Sequence, residues 1–225
     1  MTFDYNLVNK FLNAITPFPK DFGYKSEQLK EMRKKISEID SQAKLEYGVS
    51  KMVIISPSLK NVVIKIPFKG QYLNNQWSSF YWAPSVKDNS DYCLAEYEKY
   101  KKLKSLNLDC FVAKTMYYKT IDGIRIFIQE KAISEDDSWL ESFKKPSKKS
   151  QKIARQFSKK KITGDLTVDW VAKCLDVYGE DKVEEFLKYC DEVDLDILED
   201  SHSGNYGYRL DKTPVIFDFS NYLDD

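Results

Sequence analysis

A lysine set inside an apolar, β-branched run constrains this chain more than any other feature. It is Lys65 in NVVIKIPF (61–68), which follows the similar run KMVIIS (51–56) after the spacer PSLK at 57–60. Both runs read as short strands, and the spacer as the turn of an antiparallel hairpin. A charged side chain in such a strand asks for a partner, because burying it alone is expensive. The fold is therefore expected to bring an acid to Lys65.

The rest of the chain supplies an α+β pattern around that hairpin. The first 45 residues read as helical, with Leu29, Met32, Ile36 and Ile39 at three- and four-residue spacing after a possible Ser26 cap. Residues 70–90, with Trp77, Phe80 and Trp82, read as irregular. A helix is expected from Tyr92 to Ser105, its Lys-rich last turn suiting the negative end of the dipole. CFVAKTMYYK (110–119) and IRIFIQEKA (124–132) read as strands joined by a turn at Asp122-Gly123. From 133 onward the chain reads as polar and helical. One stripe is Val171, Cys174, Leu175 and Tyr178, closed by Gly179, and another is Val183, Phe186, Leu187 and Cys190. YGYR (206–209) and PVIFDF (214–219) form a last hairpin. Strands, helix, strands, helices and a hairpin predict a strand-rich first lobe and a helix-rich second lobe.

Composition narrows the classes. Thirty-five basic and 35 acidic residues give a formal net charge of zero, which argues against a polyanion binder as a whole. The charge is unevenly spread. Residues 144–161 carry Lys and Arg without one acid, whereas 176–200 are strongly acidic. Both read as solvated faces, with a handle for an anionic partner as the functional alternative for the basic one. Cys93, Cys110, Cys174 and Cys190 lie far apart and His202 is the single histidine, so a zinc site is not expected and reduced thiols in a cytoplasmic protein are. MTFDYNLVNK does not read as a signal peptide, and no apolar run is long enough to span a membrane.

The sharpest chemistry lies in Asp200-Ser-His-Ser-Gly-Asn205 and in Asp218 of PVIFDFS. An ordinary polar turn would use the same residue types. Phosphoryl transfer also needs them: one carboxylate to orient the proton of an attacking hydroxyl, and an amide oxygen with a second carboxylate to hold Mg²⁺. Asn205 and Asp218 at the two ends of one hairpin would meet across it. Glu96 shares a helical face with Tyr100 and Leu103, which makes it a candidate partner for Lys65, with Glu98 as the neighbouring choice.

These pieces, in this order, resemble the protein-kinase-like superfamily. Asp200 and Asn205 reproduce its Asp, four residues, Asn loop, and Asp218-Phe219-Ser220 stands where its Asp-Phe-Gly is found. The form Asp-x-His-x-Gly-Asn is closer to small phage and bacterial members than to eukaryotic protein kinases. The resemblance spans roughly 45–220 and implies roles residue by residue. Asp200 would be the catalytic base, and Asn205 and Asp218 the metal ligands. Lys65, positioned by Glu96, would hold the phosphates. Backbone groups of Glu130 and Ala132, in Gln129-Glu130-Lys131-Ala132, would meet adenine. Ser50 and Lys51 would approach phosphate from EYGVSKM, and His202 would lie near the γ-phosphate.

Departures are equally specific. The phosphate loop has only Gly48, Leu198-Glu199 replaces His-Arg before Asp200, and Ser220 replaces glycine. Only Ser220–Asp225 follow Asp218-Phe219, so neither an activation segment nor a peptide platform is expected.

The resulting expectation is a two-lobed kinase-like α+β fold with a minimal C-terminal lobe. It has a helical extension over 1–44, a strand-rich lobe over 45–132 and a helical lobe over 133–225. It predicts a cytoplasmic phosphotransferase using ATP and Mg²⁺, with an unidentified protein or small-molecule acceptor and no membrane; nucleic acid is not an expected partner, and salt-sensitive nucleic-acid binding through the basic 144–161 stretch is a third, weaker reading. Transfer of AMP stays open. The alternative is a non-catalytic nucleotide-sensing module, for example phage-encoded and acting on a host target.

Overall fold

The computed structural model describes residues 2–18, 21–22, 27–48, 50–73, 76–81, 91–134, 145–194, 196–199, 201–202 and 204–219. For 21–22, 69–73, 76–81, 196 and 199 only the backbone is described. The Ser26 cap and the aromatic residue Trp82 lie outside the described residues. The chain divides into two compact units, residues 1–97 with 115–130, and residues 98–114 with 131–221.

In the first unit a five-stranded antiparallel sheet runs in the order β2 (Lys44–Tyr47), β3 (Lys51–Ile55), β4 (Val62–Pro67), β8 (Ile124–Glu130), β7 (Thr115–Ile121). Side chains alternate between the faces of a strand, and residues opposite each other in register share a face. Met52 lies opposite Ile66, and Ile54 and Ile128 both lie opposite Ile64. These residues line one face, together with Ile126. Helices α1 (Tyr5–Ile15) and α2 (Glu27–Ile39) cover it, through Val8, Phe11, Leu12 and Ile15 on one and Leu29, Met32 and Ile36 on the other. The two helices thus share a single core with the sheet. Asp4 caps α1 by accepting from the N–H groups of Asn6 and Leu7 at 2.9 and 3.1 Å.

Three short strands differ from the sequence expectation, while the Asp122-Gly123 turn agrees with it. The supposed irregular stretch contains β5 (Lys69–Leu73) and β6 (Gln76–Tyr81), paired as a hairpin, with β1 (Asp21–Phe22) added at its edge. The first 45 residues are therefore not wholly helical. The Asp122-Gly123 turn has φ of 51° and 80°, the doubly left-handed geometry of a tight hairpin.

Asp40, just past α2, joins the helix to the turn between β3 and β4. It accepts from the Ser56 hydroxyl, from the Ser58 N–H at 3.2 Å and from the Gln42 N–H at 3.0 Å. These bonds, the Ser56 hydroxyl foremost, lower its pKa to about 2. A depressed carboxyl pKa stabilises the fold above the unfolded value, near 3.9, and that stability is lost as pH falls through about 2. An Asp40→Asn variant should therefore be less stable than the wild type at neutral pH. The gap in urea midpoint should narrow between about pH 4 and pH 2. A gap independent of pH would show that Asp40 acts through packing alone.

The second unit contains α4 (Lys148–Lys159), α5 (Val168–Tyr178), α6 (Glu180–Val193), the short α7 (Asp196–Glu199) and a three-stranded antiparallel sheet. That sheet has the order β11 (Pro214–Ile216), β10 (Tyr206–Arg209), β9 (Ala132–Ser134). Thr167 caps α5 by accepting from the Trp170 N–H at 3.2 Å, and Gly179, at φ 85°, ends it. Phe111 stacks on Phe186 at 4.2 Å, and Trp170 donates through Nε1 to the Gly207 carbonyl at 3.0 Å. The strand expected at 110–119 begins only at Thr115. Residues 109–111 form a 3-10 turn that drives Phe111 into this core, and Ala113 N–H donates to Ile216 at 2.7 Å. The strand expected at 124–132 stops at Glu130, and pairing resumes with β9 from Ala132.

Candidate functional site

The face of the five-stranded sheet away from α1 and α2 carries polar residues. Register places Lys51, Val53, Lys65, Phe127, Gln129 and Thr115 on that one side. Helix α3 (Tyr92–Ser105) enters over it, and its start is fixed at both ends of one carboxylate. Asp91 accepts from the Leu94 N–H at 2.9 Å and from Arg125 Nη1 of β8 at 3.2 Å. Burial pushes the Asp91 carboxyl up, against those two bonds. Tyr97 meets Phe127 with ring centroids 5.9 Å apart.

So placed, Glu96 is fully buried among three donors. Oε1 accepts from Lys51 Nζ at 2.5 Å and from Lys65 Nζ at 3.0 Å. Oε2 accepts from Lys65 Nζ at 2.8 Å and from Gln129 Nε2 at 3.4 Å. Gln129 Nε2 also donates to Thr115 Oγ1 at 3.0 Å. Glu96 is 0 % exposed, Lys65 4 % and Lys51 6 %, so these are charges taken out of water. Glu98, the alternative acid, pairs instead with Lys101 on an exposed surface. The neighbouring Cys93 thiol is pushed far above its ordinary range by burial and then by the Glu96 charge, which makes it inert.

Asn205 and Asp218 come together in the second unit. The backbone carbonyl of Asn205 accepts from the N–H groups of Phe217 and Asp218 at 2.9 and 3.1 Å. Asp218 is not on the strand, which ends at Ile216; it follows the strand, held by Asn205. Asn205 N–H donates to the His202 carbonyl at 2.8 Å, and its side chain is buried. Gly204 N–H donates to Nδ1 of the exposed His202 at 3.1 Å. A Cβ at Gly204 would stand 2.8 Å from that ring.

Arg209 ties this hairpin to its neighbours. Its guanidinium donates to the carbonyls of Cys110, Val112 and Pro214 at 3.0, 3.0 and 3.2 Å, and to Tyr178 Oη at 3.1 Å. Ahead of the hairpin, Gly164 at φ +52° lets its loop press against α7, where a Cβ would stand 2.5 Å from the Leu198 carbonyl. Asp200, the predicted base, lies outside the described residues. Leu198 and Ser201, which flank it, are buried, and the Ser201 hydroxyl donates to the Leu198 carbonyl at 2.6 Å.

Glu130 lies opposite Val62 at the end of β8, and Ala132 opposite Arg209 in β9. The Ser50 carbonyl accepts from the Phe68 N–H at 2.9 Å, and nothing lies within 4 Å of a Cβ built on Gly48. Sequence reasoning missed three features. Lys51 shares Glu96 with Lys65, and its signal was the one that marked Lys65, a lysine at an apolar strand. Gln129 and Thr115 complete the polar cluster but carry no signal until the register is known.

Among the described residues no group of three or more His, Cys, Asp or Glu is gathered as a metal site, and no helix is long and apolar enough to cross a membrane. No protein-family model, curated protein or solved structure matches this chain.

Proposed function

We propose that this chain is a kinase-like phosphotransferase, of two-lobed kinase-like fold, that uses Mg·ATP and passes phosphate to an acceptor still to be identified. The observation that carries this reading is the buried Lys65–Glu96 pair, joining a central strand to a helix. Stability does not demand such a pair, because apolar residues of similar volume would serve as well or better. A lysine fixed in place by a carboxylate is what orients an ammonium toward the phosphates of a nucleotide.

Asn205 and Asp218 support the same reading. An amide oxygen and a carboxylate are the hard donors that Mg²⁺ takes alongside substrate phosphates, and these two residues are joined through backbone hydrogen bonds. When bound, the ion would neutralise charge on the transferring phosphate. Asp200 would orient the hydroxyl of the acceptor and accept its proton. Glu130 and Ala132 would offer backbone groups to adenine, and Ser50 and His202 would lie toward the phosphates.

The test is a thermal shift with Mg·ATP. At a concentration of about 100 times Kd a ligand adds about 2.7 kcal/mol to the native state, a rise of several degrees for a chain of this size. The wild type should show that rise, and Lys65→Met should not. A wild type whose unfolding temperature ignores Mg·ATP over the millimolar range would contradict the reading.

A further inference from the structure

The chain has zero net charge, and its exposed helices mostly pair cations with nearby acids: Lys30 with Glu27, Lys35 with Glu31, Lys101 with Glu98, Lys188 with Glu192. Helix α4 and its flanks depart from this habit. From 145 to 161 stand Lys145, Lys148, Lys149, Lys152, Arg155, Lys159, Lys160 and Lys161, without an acid among them. All are exposed, and none takes part in an ion pair among the described residues. Lys148, Lys152, Arg155 and Lys159 recur at four, three and four residues, so they form one stripe, about 16 Å long at 1.5 Å per residue.

Local energetics oppose this arrangement. Like charges one turn apart repel, and cations in the first turn face the positive end of the helix dipole. The helix is nonetheless held firmly. Ala154 and Phe157 are buried in the core of the second unit. The Ser147 N–H and the Ser150 hydroxyl both donate to Asp176 of α5, at 2.8 and 2.7 Å. Burial resists the ionisation of Asp176, but the hydrogen bonds from Ser150 and Ser147 outweigh it and hold the carboxyl below its usual range. The basic stripe is thus presented on a fixed support, which lowers the cost of ordering it on a partner.

We propose that the outer face of α4 binds the phosphate backbone of a nucleic-acid duplex, without sequence preference. This proposal is independent of the nucleotide chemistry above. Seven of the eight cations are lysines, as are 31 of the chain's 35, and as point charges they suit a row of phosphates without reading bases. No aromatic side chain lies on the exposed face to stack on unpaired bases, which favours a duplex over a single strand. A membrane surface would ask for apolar residues facing outward, whereas Ala154 and Phe157 face in. Zero net charge argues against a polyanion binder only if charge is evenly mixed, and on α4 it is not.

The experiment measures fluorescence anisotropy of a labelled, random-sequence DNA duplex of about 20 base pairs, and of an RNA duplex of the same length, with the full chain. Neutralising about four phosphates gives a slope near −4 in log K against log salt, so affinity should fall on the order of 10²-fold between about 50 and 200 mM salt. The variant Lys148→Glu, Lys152→Glu, Arg155→Glu should lose about 30-fold or more at low salt and flatten the slope by about 3. A control with the same charge change on α2, Lys30→Glu, Lys34→Glu, Lys35→Glu, should stay within about fivefold of the wild type. Circular dichroism and urea midpoints check folding, and a Lys148→Gln, Lys152→Gln, Arg155→Gln variant stands in if the reversed one fails to fold. Four results would overturn the proposal. These are no binding to either duplex at about 50 mM salt, equal loss in the α2 control, tighter binding to phosphatidylserine vesicles than to either duplex, and salt-sensitive self-association abolished by the α4 variant. The last would assign the face to a second copy, through its acidic α6.

Discussion

An Asp200→Asn variant is expected to bind Mg·ATP like the wild type and to turn it over roughly 10²–10⁴-fold more slowly, the scale of a positioned acid–base group. Asp218→Asn is expected to fail differently. It removes a negative oxygen from the ion, so it should weaken Mg·ATP binding itself. The distinction follows from role. A group that orients the acceptor hydroxyl matters in the transition state, while a metal ligand matters already in the bound state. Asn205 and Asp218 hold each other through the backbone, so Asp218→Asn should leave the hairpin folded. Thermal shift reads the binding half and label transfer the turnover half. Equal loss of binding in both variants would show that Asp200 is a metal ligand or a structural residue instead of the base.

The second large effect is on stability. Removing one partner of a buried ion pair leaves the other charge in a poor solvent, and such changes cost about 3–5 kcal/mol. Glu96→Ala removes the carboxylate shared by two buried lysines, since both Lys51 and Lys65 donate to it. The unfolding temperature should fall on the order of 10 °C. Replacing all three charges together, as Lys51→Met, Lys65→Met, Glu96→Leu, should behave oppositely. An apolar cluster of similar volume is neutral or stabilising by about 1–4 kcal/mol relative to buried charges. That variant should be stable and should not respond to Mg·ATP. A triple variant as unstable as Glu96→Ala would mean that the cluster is there to hold the fold. A stable triple variant that still binds Mg·ATP would remove Lys65 from the site.

The central pair was legible because two local signals were independent. Lys65 interrupts an apolar strand, and Glu96 shares a helical face with apolar residues, so each needed a buried partner of opposite charge. The choice between Glu96 and Glu98 followed from helical phase, and Glu98 is found on an exposed surface with Lys101. Lys51 carried a similar signal but was assigned to a loop contacting phosphate, because the neighbouring Gly48 suggested one. The registers of β3 with β4 and of β8 with β7 decide its partner and that of Gln129, and register depends on pairing over long sequence distance.

Composition misled at two other places. CFVAK at 110–114 is apolar and β-branched enough for a strand, yet Phe111 is drawn into the second unit's core and the backbone turns there. The segments 69–73 and 76–81 lack the alternation that marks a half-buried strand, yet they pair as β5 and β6. The helices of the first 40 residues were visible, but their place in a common core with the sheet was not. An apolar stripe shows that a face is covered without showing what covers it.

Label transfer from ATP tests the central claim most directly. The pure protein is incubated with Mg²⁺ and ATP labelled at either the γ or the α position, alone and with cell lysate. The account predicts that the γ label moves to protein or to a small molecule, that the α label stays with the nucleotide, and that Asp200→Asn abolishes most of the transfer. Transfer of the α label would instead make the chain an AMP transferase. Mg·ATP binding with neither label moved, under every acceptor tried, would contradict phosphoryl transfer and identify a nucleotide-sensing module.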